Sequence, residues 1–360
     1  MEMIKDYSKP SFDQEIFKSA PDAKLKIAAS DGILPDEFHA TSIFPEYIKI
    51  DGDWKLIKKS RMDCCVVVSD GEPYAVEQRN VKKGDLIVLG LLDDSSLGIY
   101  LHAKGFISKE NGFDDFAFRT SRTRETSYSM DYDSLYELLK YEKDNGYIVW
   151  VLGPAVAFDY DSRSAMQKLI ENGYVQHILA GNALATHDLE AGYMKTALGQ
   201  NIYTQESIKN GHYHHLQTIN DVRACGSIKS FIKEKNIKDG IMYALEEREI
   251  GYILAGSIRD DGPLPETIGD VYESQKKMRE IVGNATTVIG LATQLHTIAT
   301  GNMTPSYVIN EGKVRPVNFY TVDITEFAVN KLRDRGSLAV KSIVTNVQDF
   351  LVNIANGLAL

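Results

Sequence analysis

The sequence predicts an α/β protein in which a Rossmann-like, mostly parallel sheet with helices on both faces follows a small β-rich domain. Beyond residue 130 the apolar runs YIVWVLG, YVQHILAG, GYILAG, TTVIGL and VNFYTVDI alternate with amphipathic stretches. Continuous apolar runs of that length are strands buried on both faces, as in parallel sheets. Before that point the chain shows short alternating runs separated by turn pairs. A length of 360 residues supports two cores, and the division expected is 1–130 and 131–360.

In the first part, EYIKIDGDWKLI brackets Asp51-Gly52, a hairpin signal. RMDCCVVVSDG and VKKGDLIVLG each read as a turn and a strand. The polar stretch ENGFDDFAFRTSRTRETSYSM reads as the link between domains. In the second part, DYDSLYELLKYEKDNG reads as a helix stopped by Gly146. SRSAMQKLIENG, PETIGDVYESQKKMREIV, TEFAVNKLRD and NVQDFLVNIANGL read as further helices, the second of these starting near Pro265.

Composition narrows the function classes. A formal charge of −10 disfavours a nucleic-acid surface. Cys64, Cys65 and Cys225 form no zinc spacing; Cys64 and Cys65 alternate across a strand and read as small buried hydrophobes. The N-terminal stretch MEMIKDYSKPSFDQEIF lacks a signal-peptide core, and no apolar run reaches membrane-spanning length. A soluble cytoplasmic protein with neither a nucleic-acid nor a membrane partner is expected.

In open α/β sheets, ligands bind beyond the carboxyl ends of the strands. The residues following the expected strands are Pro154-Ala-Val-Ala, Asn182 to Asp188, Ser257-Ile-Arg-Asp-Asp-Gly, Ala292 to His296, and Asp323. Small residues there let backbone N–H groups approach a phosphate, and Asp323 is placed for a ribose or a neighbouring loop. GxGxxG is absent, so a nucleotide crevice and plain tight turns both fit the pattern. GHYHHL groups His212, His214 and His215, which suit a loop or an anion better than a metal. His187 and Glu190 can share a helix face. Asp260 and Asp261 are the most telling pair, because neighbouring carboxylates repel and suit proton transfer to and from an amine. Arg259 can pair with either or fork onto a substrate carboxylate. The competing reading makes these charges the dressing of a helix start.

AGNALATHDLE, GHYHHLQTIN with ACGSI, LAGSIRDDGPLPET, LHTIATGNMTPS, and VDITEFAVNKLRDRGS with VTNVQDFL together resemble one family. It is the group first labelled as related to lysine-ketoglutarate reductase/saccharopine dehydrogenase. Its archaeal members, and the C-terminal half of the cyanobacterial arginine dihydrolase, are NAD-dependent ornithine cyclodeaminases. The segments LPDEFHATSIFPEYIKIDGDWKLI, RMDCCVVV and VKKGDLIV are similar to its small β domain, so the resemblance runs from about residue 34. It implies a deoxyhypusine-synthase-like NAD-binding domain without the glycine fingerprint. NAD contacts are implied at Asn182, Ala183, Asp261, Thr293, Gln294, Leu295, His296, Asp323, Asn346 and Val347, with no metal. The implied chemistry is a closed redox loop. Cα of ornithine is oxidised, the δ-amine attacks it, ammonia leaves, and the cyclic imine is reduced to proline. Asp260 or Asp261 is expected to move the proton, with Arg259, His212 and His215 in the substrate pocket. A homo-oligomer is expected, with the first domain on the substrate side.

The sequence departs from the family pattern in LLDDSSLGIYLHAKGF, TSRTRETS, KTALG, Gln294 and INEGKVRPVNFY. The NAD motifs largely survive, with Gln294 the exception among them, while the regions expected to face substrate differ. An NAD-dependent enzyme for another amino acid, and a non-catalytic NAD binder, therefore stand beside ornithine cyclisation.

Overall fold

A computed structural model describes residues 7–91, 95–106, 128–260, 262–310, 312–325 and 338–360. Contacts divide the chain into two units: Met1–Phe118 with Asn302–Asn318 and Arg335–Ala339, and Arg119–Gly301 with Phe319–Asp334 and Val340–Leu360.

The first unit is β-rich. After a short helix α1 (Glu15–Lys18) come β1 (Lys24–Ile27), β2 (Glu46–Ile50), β3 (Asp53–Leu56), β4 (Cys65–Ser69), β5 (Glu72–Val76), β6 (Leu86–Leu89) and β7 (Ile99–Leu101). They form a sheet of order β1-β6-β4-β5 and another of order β3-β2-β7, antiparallel throughout. Asp51 and Gly52 join β2 to β3 with φ of 53° and 83°, the two positive values a tight hairpin turn requires. Cys64 and Cys65 enter two different apolar clusters, as alternation across a strand demands. None of the three cysteines is disulfide-bonded among the described residues.

The second unit opens with α2 (Tyr128–Asn145), ended at Gly146 as expected, then β8 (Ile148–Leu152), α3 (Tyr160–Glu171), β9 (His177–Gly181) and α4 (Asn182–Met194). The two-residue strands β10 (Thr196–Ala197) and β11 (Gln200–Asn201) precede α5 (His212–Cys225), α6 (Ile228–Glu234) and α7 (Ile241–Glu247). Next come β12 (Gly251–Ala255), β13 (Thr267–Ile268), α8 (Val271–Val282), β14 (Thr287–Leu291) and α9 (Gln294–Met303). The hairpin β15 (Tyr307–Asn310) and β16 (Lys313–Pro316) belongs to the first unit, where the Tyr307 hydroxyl donates to the Ile57 carbonyl. β17 (Asn318–Asp323), β18 (Ala339–Val344) and α10 (Val347–Gly357) complete the chain.

The large sheet has the order β13-β12-β9-β8-β14-β17-β18. Pairings from β13 through β14 are all parallel. Leaving aside the two-residue edge strand β13, this is the 3-2-1-4-5-6 order of doubly wound nucleotide-binding sheets. The expected Rossmann-like, mostly parallel class is the one observed.

Two expectations need comment. No helix starts near Pro265; Thr267 and Ile268 instead pair with β12, and the helix begins at Val271. Asp270 sets that start by accepting from the Tyr272 and Glu273 N–H groups. The charges of Arg259 and Asp260 therefore do not dress a helix N-terminus. The helix read over TEFAVNKLRD falls, beyond Thr325, outside the described residues, as does the linker up to residue 127.

One ion-pair cluster locks the helices. Arg163 on α3, 2% exposed, donates from Nε to Asp188 Oδ1 at 2.7 Å and from Nη1 to Asp239. Asp188 on α4 also accepts from the Ile241 N–H at 2.9 Å and the Met242 N–H at 2.7 Å, capping α7. Gly240, at φ 114°, leaves room for the guanidinium, since a Cβ there would lie 1.9 Å from Arg163 Nη2. Removing one partner of such a buried cluster leaves a charge uncompensated. Arg163→Met is expected to cost about 3–5 kcal/mol in urea unfolding.

At the amino end of β9, His177 is 9% exposed and its Nε2 has no hydrogen-bond partner among the described residues. Burial pushes its imidazole down to about 4. The unfolded chain takes up that proton near pH 6.5, whereas the folded chain resists it until about pH 4. Stability is thus expected to fall by up to about 3 kcal/mol as pH drops through that window. Chemical denaturation from pH 7 to 4 should show the slope, and His177→Gln should flatten it.

Candidate functional site

The chain order of the large sheet reverses between β8 and β14. Their carboxyl ends nearly touch: the Gly153 N–H donates to the Leu291 carbonyl at 2.8 Å. A Cβ at Gly153 would lie 2.0 Å from the Ala292 carbonyl oxygen, so only glycine fits. Ala292 itself is held at φ 48°, a left-handed conformation uncommon for a residue with a side chain. This crevice is where doubly wound sheets bind ligands.

Asn182, first residue of α4, is 4% exposed and uses its Oδ1 twice, accepting from the Leu264 N–H at 2.8 Å and the Thr267 hydroxyl at 3.0 Å. It thereby ties the stretch after β12 to the helix after β9. Ala183, beside it, is half-buried. In the loop after β12, Asp260 Oδ2 accepts from the Ser257 N–H at 2.8 Å, while the Asp260 N–H donates to the Ser257 carbonyl at 3.1 Å. This doubled turn fixes the carboxylate; Arg259 beside it is exposed. Asp261 lies outside the described residues.

His296, on the first turn of α9, approaches the end of β9 so closely that a Cβ at Gly181 would lie 3.0 Å from its Cε1. Burial holds its imidazole below the ordinary histidine range, with the Asp260 carboxylate pulling the other way. The structure thus gathers Asn182, His296 and Asp260 from three strand ends. Thr293 precedes α9 and its carbonyl accepts from the Thr297 N–H at 3.2 Å. Gln294 and Leu295 are exposed, Leu295 by 74%.

Asp323 ends β17, its Oδ1 taken by the Thr325 N–H at 3.0 Å and hydroxyl at 3.1 Å. Asn346 caps α10, accepting from the Gln348 N–H at 2.8 Å, and the Val347 side chain is core. These two therefore offer a ligand backbone rather than uncommitted side chains.

The histidine segment forms the first turn of α5. His212 is exposed, its ring 4.3 Å from that of Tyr213. His215 faces inward, its ring 4.8 Å from that of His187. His187 Nδ1 lies 3.2 Å from Glu190 Oε2, and the Thr196 hydroxyl donates to Glu190 Oε1 at 2.8 Å. His214 Nδ1 lies 2.8 Å from the same hydroxyl. Reading the sequence put His212 and His215 in the site and left His187 and Glu190 as a possible pair. A histidine and a glutamate three apart within the small-residue stretch ALATHDLEAG signal this cluster.

An open cavity of about 740 Å³ lies at the amino ends of α3 and α10, lined by Asp159, Asp161 and Asp349 among others. Its wall includes Thr345 and Gln348, which flank Asn346 and Val347, so it adjoins the last of the expected cofactor positions.

Comparison with known proteins matches this geometry to a family. Residues 135–354 match the Arginine dihydrolase ArgZ-like, C-terminal, Rossmann fold family, and residues 45–94 match its C-terminal first region. A Methanocaldococcus jannaschii protein named ornithine cyclodeaminase is 39% identical over 92% of this chain and 76% of its own. The chain belongs to this ornithine cyclodeaminase and ArgZ-like family. A crystal structure of a conserved LOR/SDH protein from Methanococcus maripaludis S2 superposes with a TM-score of 0.84 at 34% identity, covering 94% of this chain and 98% of that one. The bifunctional AgrE of Nostoc sp. is 33% identical over 92% of this chain, which spans 46% of AgrE. A solved complex of AgrE with ornithine and NAD⁺ superposes with a TM-score of 0.58 at 31% identity, over 95% of this chain and 46% of that one. Among the described residues no helix is long and apolar enough to cross a membrane.

Asn182→Ala leaves the Leu264 N–H and the Thr267 hydroxyl without their acceptor. About 1–3 kcal/mol of stability should be lost, and amide exchange should quicken first at 264–267.

Proposed function

We propose that this family member converts L-ornithine to L-proline and ammonia using tightly held NAD. The convergence of Asn182, Asp260 and His296 on the crevice where the sheet order reverses carries the reading. The polar groups suit a dinucleotide: an amide at Asn182, a hydroxyl at Thr293 and an imidazole at His296, with the Asp323 carboxylate and adjoining backbone to accept from ribose hydroxyls. Gly181 and Gly153 keep strand ends bare where a side chain would stand. Ala183, Gln294, Leu295, Asn346 and Val347 complete the assigned contacts, with Asp261.

When bound, NAD supplies a hydride acceptor and returns the hydride to the same carbon, so the reaction is redox-neutral overall. Singly charged ornithine becomes proline plus ammonium with atoms and charge conserved. Asp260, held by the Ser257 N–H through one oxygen, presents the other to a substrate ammonium. It or Asp261 moves a proton beside Cα. A neutral His296 beside it adds no positive charge where an ammonium must sit. Arg259 offers its fork to the substrate carboxylate, with His212 and His215 assigned to the pocket wall. The protein is expected to act in the cytoplasm as a homo-oligomer.

Labelled ornithine with catalytic NAD⁺ should give proline and ammonia without net NADH. Stoichiometric NADH, or no turnover, would sink this reading. Asp260→Asn should lower turnover by about 10²-fold or more.

A further inference from the structure

Cyclisation makes a demand that Asp260 alone does not meet. The δ-ammonium must give up a proton before its nitrogen can attack. The departing α-nitrogen must then gain one to leave as ammonia. A single base balances the step. It takes one proton from the δ-ammonium, and after attack on the Cα iminium it relays the ring nitrogen's second proton to the α-nitrogen, which leaves as ammonia. The proton it still holds goes to the proline nitrogen once the hydride has returned.

We propose that His187, oriented by Glu190, is that proton-transferring side chain; the inference rests on the ornithine reading above. The hydrogen-bond pattern assigns the atoms. Glu190 is fully buried and accepts at both oxygens, from the Thr196 hydroxyl and from His187 Nδ1. The His214 N–H supplies the Thr196 oxygen in turn. With its proton on Nδ1, His187 carries its lone pair on Nε2, and a carboxylate behind the ring supports the imidazolium formed when Nε2 takes a proton. His187 is therefore more than a satisfied core histidine: the pair has the polarity of a base with an orienting acid.

The surroundings favour exchange at this ring. Phe158, from the segment after β8, meets it edge-on at 5.4 Å, and His215 of α5 packs on it at 4.8 Å. Glu190 on its own helix, His215, and His214 reached through Thr196 are the titratable groups around it. Arg163, Asp188 and Asp239 are engaged with one another on another side of α4.

The same side chains could be read as metal ligands, since atoms of His187, Glu190 and His215 lie within 4.8 Å of one another. Tetrahedral zinc with bonds of about 2.0 Å sets ligand atoms ~3.3 Å apart. The His187–Glu190 pair at 3.2 Å matches that spacing, but both carboxylate oxygens are already occupied by the Thr196 hydroxyl and by His187 Nδ1. The dyad is the better account.

Wild type, His187→Gln, His187→Ala, Glu190→Gln and Glu190→Asp are compared for NAD⁺ affinity by fluorescence titration and for ornithine turnover across pH. His187→Gln should lose about 10²-fold or more in kcat, with NAD⁺ affinity and KM for ornithine changed less than about twofold. Added imidazole should restore part of the activity of His187→Ala. Glu190→Gln should move the acid limb of kcat/KM to lower pH, because an imidazolium formed there loses its counter-charge. Glu190→Asp should return the limb most of the way. Should His187→Gln fail to bind NAD⁺, the Glu190→Gln limb decides the matter alone. Near-wild-type kcat in His187→Gln overturns the assignment, as does an unmoved limb in Glu190→Gln. One zinc per purified chain, lost in His187→Gln, overturns it in favour of a metal site. If wild type makes no proline from ornithine, the ornithine reading itself falls and takes this assignment with it.

Discussion

The carboxylate of Asp188 is the constraint on which the second unit depends. It receives a guanidinium N–H from α3 and two backbone N–H groups from the start of α7, so three helices share one acceptor. α4 is buried along almost its whole length, and apolar packing alone leaves such a helix free to choose its rotation. A charged group with directional partners removes that freedom. Glu190 lies about 160° round the helix from Asp188, so fixing one side aims the other. Asn182 opens the same helix. The anchor, the loop tie and the histidine dyad are thus three faces of a single element.

What was legible in the sequence follows from this arrangement. Strands β8, β9, β12, β14 and β17 announce themselves as apolar runs because both sheet faces are covered. α3, α8 and α10 show as helices because each keeps one wet side. α4 is hidden because a helix wrapped in protein has no amphipathic period to read. β13 is two residues long, too short for any pattern, and the Pro263, Pro265 and Glu266 that precede it imitate a helix start. Strand-end reasoning reached Asn182, Asp260 and His296, whose position follows from topology. It did not reach the Arg163 cluster, whose partners are brought together by helix packing between distant segments; His187 and Glu190 stood out only as a pair on one helix face, without Thr196 and His214.

Charge is also distributed by task. Arg163 is spent inside the protein, matched by Asp188 and Asp239, and contributes to no ligand. The carboxylates at the amino ends of α3 and α10 gather at an open cavity. The strand ends beside the reversal instead bring the Asn182 amide and the His296 imidazole together with the held carboxylates of Asp260 and Asp323.

The hairpin β15–β16 makes the first unit discontinuous in the chain. Its Tyr307 is 1% exposed, and the Ser306 N–H donates to the Ser60 carbonyl at 2.8 Å. On a ribosome, the opening β-rich residues therefore emerge long before the piece that completes their core. They must wait, incompletely packed, while nearly two hundred further residues are synthesised. The unit that begins the chain cannot be the first to finish folding, and a truncation ending at the link between the units would expose an unfilled core rather than yield a free-standing domain.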